Sequence, residues 1–330
     1  VSRKLFLEIA ATLVLALAAA LVLPRVLALF ALINATVFIA MAVLALSLGL
    51  IWGFGGILSF GQTAFFGLGG YAYAVAAINF NDSLYAVPIA LLVPTLAAAA
   101  LGYFMFYGRI SDVYVGAITL TVSLILFNFA NSTAGEQWRI GEAPLGGFNG
   151  IPSTPPLNVP GNPDATLSPQ GIFIVAVFTL ALCYVLAKLV LAGRFGRVVV
   201  AIRENETRAE LLGYDARRYK LGIFSLGGAI AGLAGILFAN SVFVSPTMFS
   251  LFYSGQVIIW VMVGGRGTLL GPILGAFLVQ AITTWAGTEP RLNPNAILGI
   301  LLMLAVMGMP RGLLPTLRLA WGRRRGVQLA

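Results

Sequence analysis

Ten stretches of this chain are apolar for long enough to cross a bilayer, and that succession leaves few folds open. They fall at residues 5–23, 27–51, 57–77, 85–107, 113–130, 171–191, 221–242, 252–263, 268–286 and 296–309. Most reach about 18 residues, which at 1.5 Å per residue covers the ~30 Å hydrocarbon core. The run at 252–263 is short, so its helix is expected to start nearer Met248 or to be partly broken. The expected fold class is an all-α membrane protein: one transmembrane domain over residues 1–330, a polytopic bundle of about ten helices, eight at the fewest.

Composition agrees. Charged residues make up 9% of the 330, and hydrophobic ones 59%; a soluble domain carries roughly 25% charged residues. So little charge cannot dress a water-exposed surface. There is no histidine, and the single cysteine, Cys183, sits inside an apolar run. Disulfides, zinc sites and thiol–histidine catalysis are therefore not expected.

The net charge of +9 has a placement. On an alternating path that starts inside, 17 of the 20 lysines and arginines face the cytoplasm, and only Arg25, Arg139 and Arg291 fall outside. This satisfies the positive-inside rule with both termini cytoplasmic. The charge then complements anionic lipid, and no nucleic-acid partner is expected. The first run follows Ser2-Arg3-Lys4, as in a signal peptide. It is longer than an ordinary signal core, and keeping it gives an even span count, so retention is expected. Glu8 stands four residues after Lys4, a spacing at which the two can pair.

Two connections are long. Residues 131–170, expected to be periplasmic, hold seven of the sixteen prolines; that density favours a folded-back loop over a helix. Residues 192–220 are cytoplasmic and strongly charged, and residues 311–330 form a basic tail.

The chain has no Gly-x-x-x-x-Gly-Lys phosphate loop, and the glycine-rich turn at 263–268 lacks the lysine. No ionisable side chain falls at mid-span; Glu8, Asp112 and Lys188 all sit at span ends. Proton coupling is disfavoured. Either something outside the chain supplies the energy or the chain is a passive pore for a small neutral solute. A membrane-embedded enzyme would need a convergent acid, base, nucleophile or metal set, and none is present.

Residues 194–214 carry the first candidate site. Thr207 followed by Glu210 is a capping-box spacing, Ala209, Leu211 and Leu212 form a short apolar face, and Gly213 suits a helix end. A short amphipathic helix is expected there. Its acidic residues would be repelled by anionic lipid, so a protein groove suits it better than the membrane surface. The second candidate is residues 46–71, crowded with glycine. Close helix packing explains most of those glycines, but Ser59 and Gln62 beside Phe65 and Phe66 suggest the lining of a small-solute path. Gly228 and Gly232 have small-x-x-x-small spacing and read as packing.

Three motifs make the chain resemble a known family: LSLGLIWGFGGILSFGQTAFFGLGGYAYA (46–74), AGRFGRVVVAIRENETRAELLGYDARRYKL (192–221) and VGGRGTLLGPILGA (263–276), with GGFNGI (146–151) as a fourth. It resembles the permease subunits of high-affinity branched-chain amino acid ABC importers, a family shared with urea and short-amide importers. Many relatives have histidine where this chain has Gln62, which weakens any carry-over of a solute contact. The resemblance implies residence in the bacterial inner membrane, a second homologous permease, two cytoplasmic ATPase subunits that hydrolyse ATP, and a periplasmic solute-binding protein. It implies no cofactor on this chain. The family's coupling loop matches Arg194, Arg197, Arg203, Glu204, Asn205, Glu206, Arg208, Glu210, Leu211, Leu212 and Gly213, with the ATPase docked on 203–213. Gly264, Gly265, Gly267 and Gly271 then become candidates for a gate or hinge, with plain packing the competing reading.

Overall fold

A computed structural model describes residues 3–135, 137–288, 296–300, 303, 307 and 312–316, with the side chains of residues 3 and 4 excepted. Arg291, half of the expected span at 296–309 and most of the 311–330 tail lie outside these residues.

The fold is an all-α, polytopic membrane bundle. Its long helices are α1 (Arg3–Val26), α2 (Leu29–Gly53), α3 (Gln62–Phe80), α4 (Ser83–Tyr107), α5 (Asp112–Ser132), α6 (Pro169–Ala192), α9 (Ala216–Ala239) and α11 (Leu270–Thr288). Each is long and apolar enough to cross a membrane, giving eight such helices among the described residues. The shorter α10 (Leu251–Gly264) has 14 residues, roughly 21 Å. Two short helices, α7 (Arg194–Glu204) and α8 (Glu206–Leu211), stand between α6 and α9.

The expected run at 252–263 does not extend back to Met248. A separate 3-10 turn covers Pro246–Phe249, and Ser250 then caps α10 by accepting the Tyr253 amide. Pro246 fixes the first position of the 3-10 turn, and the extended backbone of Ser250, with ψ 151°, separates that turn from α10.

Helix α9 is the hub, packed against α2, α3 and α4. Small residues permit this. A β-carbon added at Gly69 would lie 2.3 Å from the Gly232 carbonyl, and one at Gly235 would lie 2.0 Å from the Phe66 carbonyl. On the other face Gly228 and Gly232 abut Ala98 and Pro94 of α4. Apolar helices gain nothing from leaving lipid for each other, so close backbone approach supplies the van der Waals energy. Phe65 and Phe106 fill the remaining space around Phe224, edge to face.

The proline-rich connection folds back on the bundle as two small antiparallel hairpins, β1 (Arg139–Ile140) with β2 (Ala143–Pro144) and β3 (Asn158–Val159) with β4 (Asn162–Thr166). Side chains at helix ends hold its backbone. Asn79 accepts the Glu142 amide and donates to the Ile140 carbonyl. Asn240 accepts the Leu157 amide. Asp82, which caps α4, accepts from Gly161 and Asn158. The first of its donors is the Leu84 amide, and together they hold the Asp82 carboxyl below the usual carboxylate range.

At the opposite end Glu8 pairs with Lys188 of α6; the expected pairing with Lys4 lies outside the described side chains. The pair pins α1 to α6, the long helix on which it rests.

Candidate functional site

The stretch 194–214 is two helices, where one was expected. Helix α7 buries Val198, Val199 and Ile202 and leaves Arg194 and Arg197 exposed. Their i, i+1, i+4 spacing is the signal that marks it in the sequence. The capping box at Thr207 does not form. Asn205 caps α8 instead, in extended backbone, its side chain accepting the Arg208 amide at 2.9 Å. Asparagine is among the best N-caps, and its position ahead of Thr207 takes the role first.

The supposed apolar face of α8 is divided. Ala209 is buried, in a cluster with Val198, Ile202 and Ala216. Leu211 and Leu212 are 85% and 73% exposed. Gly213 ends the helix with φ +88°, where a side chain would be strained. Arg208 and Glu210 of the same helix are exposed, as is Glu204 at the end of α7.

Charged side chains, from half-buried to exposed, tie this unit to the bundle. Glu206 Oε2 is 2.6 Å from Lys220 Nζ of α9, and Asp112 of α5 lies 3.8 Å from the same ammonium. The Arg203 guanidinium donates to the Gly53 carbonyl at the end of α2 and also holds Glu204. Asp215 caps α9; the Arg217 guanidinium beside it, with Arg218, holds its carboxyl below the usual range. Lys220 and Asp112 belong to this arrangement although they stand far apart in the sequence, and only the fold brings them together.

The second stretch contains a break. The apolar run 57–77 is not one helix: α3 starts at Gln62, and residues 57–61 are non-helical yet largely buried. Such backbone survives at membrane depth only inside protein. Here the Phe60 amide donates to Thr119 Oγ1 at 3.2 Å and the Gly61 amide to Ser59 Oγ at 3.2 Å. Gln62 Nε2 donates to Ser47 Oγ at 2.9 Å and to the Gly227 carbonyl at 3.0 Å. Thr63 and Ser254, at the starts of α3 and α10, share a 2.6 Å hydrogen bond, with Ser123 3.4 Å from Thr63. The break thus collects neutral hydroxyls and one amide from four helices. Thr63, Ser123 and Ser254 carry no sequence signal, because only the fold brings them together.

Phe65 and Phe66 are fully packed, against Phe224 and Phe238 respectively. Ser59, Gln62, Phe65 and Phe66 do not line the large cavity of about 600 Å³, which lies between Tyr71, Val75, Asn79, Val93, Phe129 and Phe249.

The third stretch is a close crossing of α10 and α11. A β-carbon at Gly264 would sit 1.8 Å from the Gly271 carbonyl, and one at Gly271 2.3 Å from the Gly265 carbonyl. Gly265 turns the chain with φ +109°, and Gly267 faces open space. Arg266 covers the Trp52 ring at 5.6 Å, next to Gly53.

The sequence profile of the family described as "Branched-chain amino acid transport system / permease component" matches residues 30–307, from the start of α2 to beyond α11. The chain belongs to this family. It is a transmembrane permease component of an ABC-type importer for branched-chain or related small polar solutes, a multi-pass membrane protein and not an enzyme. The high-affinity branched-chain amino acid transport system permease protein LivM of Escherichia coli (strain K12) is 28% identical to this permease over 89% of its chain and 73% of LivM. The ribose import permease protein RbsC of the same strain is 25% identical over 75% of the permease and 72% of RbsC. The autoinducer 2 import system permease protein LsrC of Salmonella typhi is 33% identical, over 34% of each chain. No solved structure matches the permease.

Proposed function

We propose that this permease passes a branched-chain or related amino acid across the bacterial inner membrane by alternating access, driven by two separate ATPase subunits that hydrolyse ATP on the cytoplasmic side. A second homologous permease completes the pore, and a periplasmic binding protein delivers the solute. In this reading both termini and residues 192–220 are cytoplasmic, and residues 131–170 face the periplasm. The exposed leucine pair carries the proposal. Leu211 and Leu212 stand clear of the bundle on a helix that is itself capped, packed and ion-paired to α9. An apolar knob on the same short helix as the exposed Arg208 and Glu210 fits a mixed-charge protein groove and is poorly suited to anionic lipid.

Closure of the ATPases on ATP draws the docked helices together, and the bundle, as a packed body with two arrangements, changes the side to which it opens. ATP drives the change by binding one arrangement more tightly than the other.

A second reading is urea or a short amide as solute. The neutral character of the break, built from Ser47, Ser59, Gln62, Thr63, Thr119, Ser123 and Ser254, favours it, since no charge there answers a carboxylate. LivM is named for branched-chain amino acids and covers most of the chain, which favours the first reading.

Purification from the native membrane in mild detergent tests the proposal. Recovery with an ATPase pair and a second permease supports it; repeated recovery as a homo-oligomer without any ATPase overturns it. Competition of leucine uptake by unlabelled urea then separates the two solutes.

A further inference from the structure

Arg203 belongs to the loop proposed to receive the ATPases, but its contacts set it apart from the exposed leucines. Its guanidinium donates to the Gly53 carbonyl, the last residue of α2. The neighbouring carbonyls of Leu50, Ile51 and Trp52 are taken by the amides of Phe54 and Gly55, of Ile57 and of Gly56. Gly53 offers a remaining acceptor at a helix C-terminus, where a cation is favoured. The stem of Arg203 also fills the space beside Gly56, where an added β-carbon would come within 2.8 Å of its Cγ. Gly56, with φ +73°, is where the chain turns back toward the break.

From Gly56 the non-helical strand runs five residues to Gln62. A second route from the same loop reaches the same residue. Glu206 holds Lys220 at the foot of α9, and further along α9 the Gly227 carbonyl accepts from Gln62. The loop thus grips the two elements, α2 and α9, whose Ser47 and Gly227 hold the Gln62 amide.

We infer that Arg203 is a positioning residue that transmits movement of the 194–214 loop to the break at Gln62, and that it is not part of the ATPase-docking surface. This rests on the import reading above. A docking residue and a transmitting residue fail differently. Loss of the first loses the ATPase; loss of the second keeps the ATPase and its hydrolysis while transport per ATP falls.

The test reconstitutes the complete importer in proteoliposomes, with radiolabelled leucine as probe, and compares wild type, Arg203→Ala, Arg203→Lys and Leu211→Asp. Arg203→Ala should retain the ATPase pair and at least half of its hydrolysis, while leucine moved per ATP falls about tenfold, within the usual range of coupling between sites. Arg203→Lys keeps the charge but cannot hold Gly53 and Glu204 at once, and should fall between the two. Leu211→Asp should lose the ATPase. An unchanged leucine-to-ATP ratio in Arg203→Ala, or loss of the ATPase from it, overturns the inference. Absence of any ATPase with the wild-type chain instead overturns the import reading itself. Because Arg203 is partly exposed, folding of each variant is checked by its elution profile in detergent, and Arg203→Lys carries the test if Arg203→Ala aggregates.

Discussion

Glu206 Oε2 meets Lys220 Nζ at 2.6 Å and, beside the packing of Ala209, fastens the six-residue helix α8 to the foot of α9. The Lys220 side chain is 14% exposed, so the pair is better shielded than a surface ion pair. Lys220→Met should free Glu206 and leave Asp112 without its cation. Hydrogen exchange across 205–213 should rise about fivefold, the equivalent of ~1 kcal/mol in local opening. Exchange in α3 and α4 should not change. Unaltered protection at 205–213 would show that the Ala209 cluster alone holds the helix.

Asp82 ties the hairpin β3–β4 to the α3–α4 turn. Its folded carboxyl is depressed, chiefly because the Leu84 amide donates to the charged form. A depressed carboxyl stabilises above its unfolded value and loses that contribution as pH falls through the folded one. The hairpin should therefore stay anchored at neutral pH and loosen as pH drops below about 4. Limited proteolysis between 155 and 166 against pH checks this. Asp82→Asn should be cleaved more readily at pH 7 and show little further change on acidification.

Gly235 is the tightest point between α9 and α3, with the Phe66 carbonyl and the Gly70 amide on top of it. Gly235→Val cannot be absorbed by turning a side chain, because both neighbours are backbone. The helices must separate, at a cost of about 3 kcal/mol or more. Thermal unfolding in detergent should show a large loss, or the protein should fail to accumulate in the membrane. Gly267→Val is the control, since an added β-carbon there meets nothing within 4 Å.

Leu211→Asp should leave the fold intact and remove ATPase binding. At 85% exposure the side chain contributes little to the chain's own stability, within ~0.5 kcal/mol. Co-purification reads the first effect and thermal unfolding the second. Deleting residues 206–213 is a less clean test than the sequence suggests, because it also removes buried Ala209 and the Lys220 pair.

The sequence exposes the bundle because lipid imposes long apolar runs, and α1, α2, α4, α5, α6, α9 and α11 all fall where those runs lie. It hides the break before Gln62 because Ile57 and Leu58 are as apolar as helix residues; hydropathy reports burial and not backbone shape. The Thr207–Glu210 spacing imitates a cap and masks the true one at Asn205. Helical spacing ranks neighbours only within one helix, so it cannot show that Lys188 reaches Glu8 from another. The hydroxyls of Thr63, Ser123 and Ser254 were invisible for a similar reason: serine and threonine are common in apolar helices, and only tertiary packing makes a cluster of them.

Gln62 offers the sharpest division between stability and transport. It is 2% exposed, its Nε2 donates twice, and its Oε1 has no partner among the described residues. An orphaned buried acceptor costs about 1–3 kcal/mol. Ser47 keeps its own bond to the Leu44 carbonyl without Gln62. Gln62→Leu removes the orphan at nearly the same volume, so thermal stability should hold or rise by ~1 kcal/mol. Uptake should nevertheless fall, if the amide is retained for the moving parts and not for the resting fold, since functional sites commonly keep such costs. A Gln62→Leu permease that unfolds earlier than wild type would make the amide a structural pin. One that is stable and still transports would remove Gln62 from the path altogether.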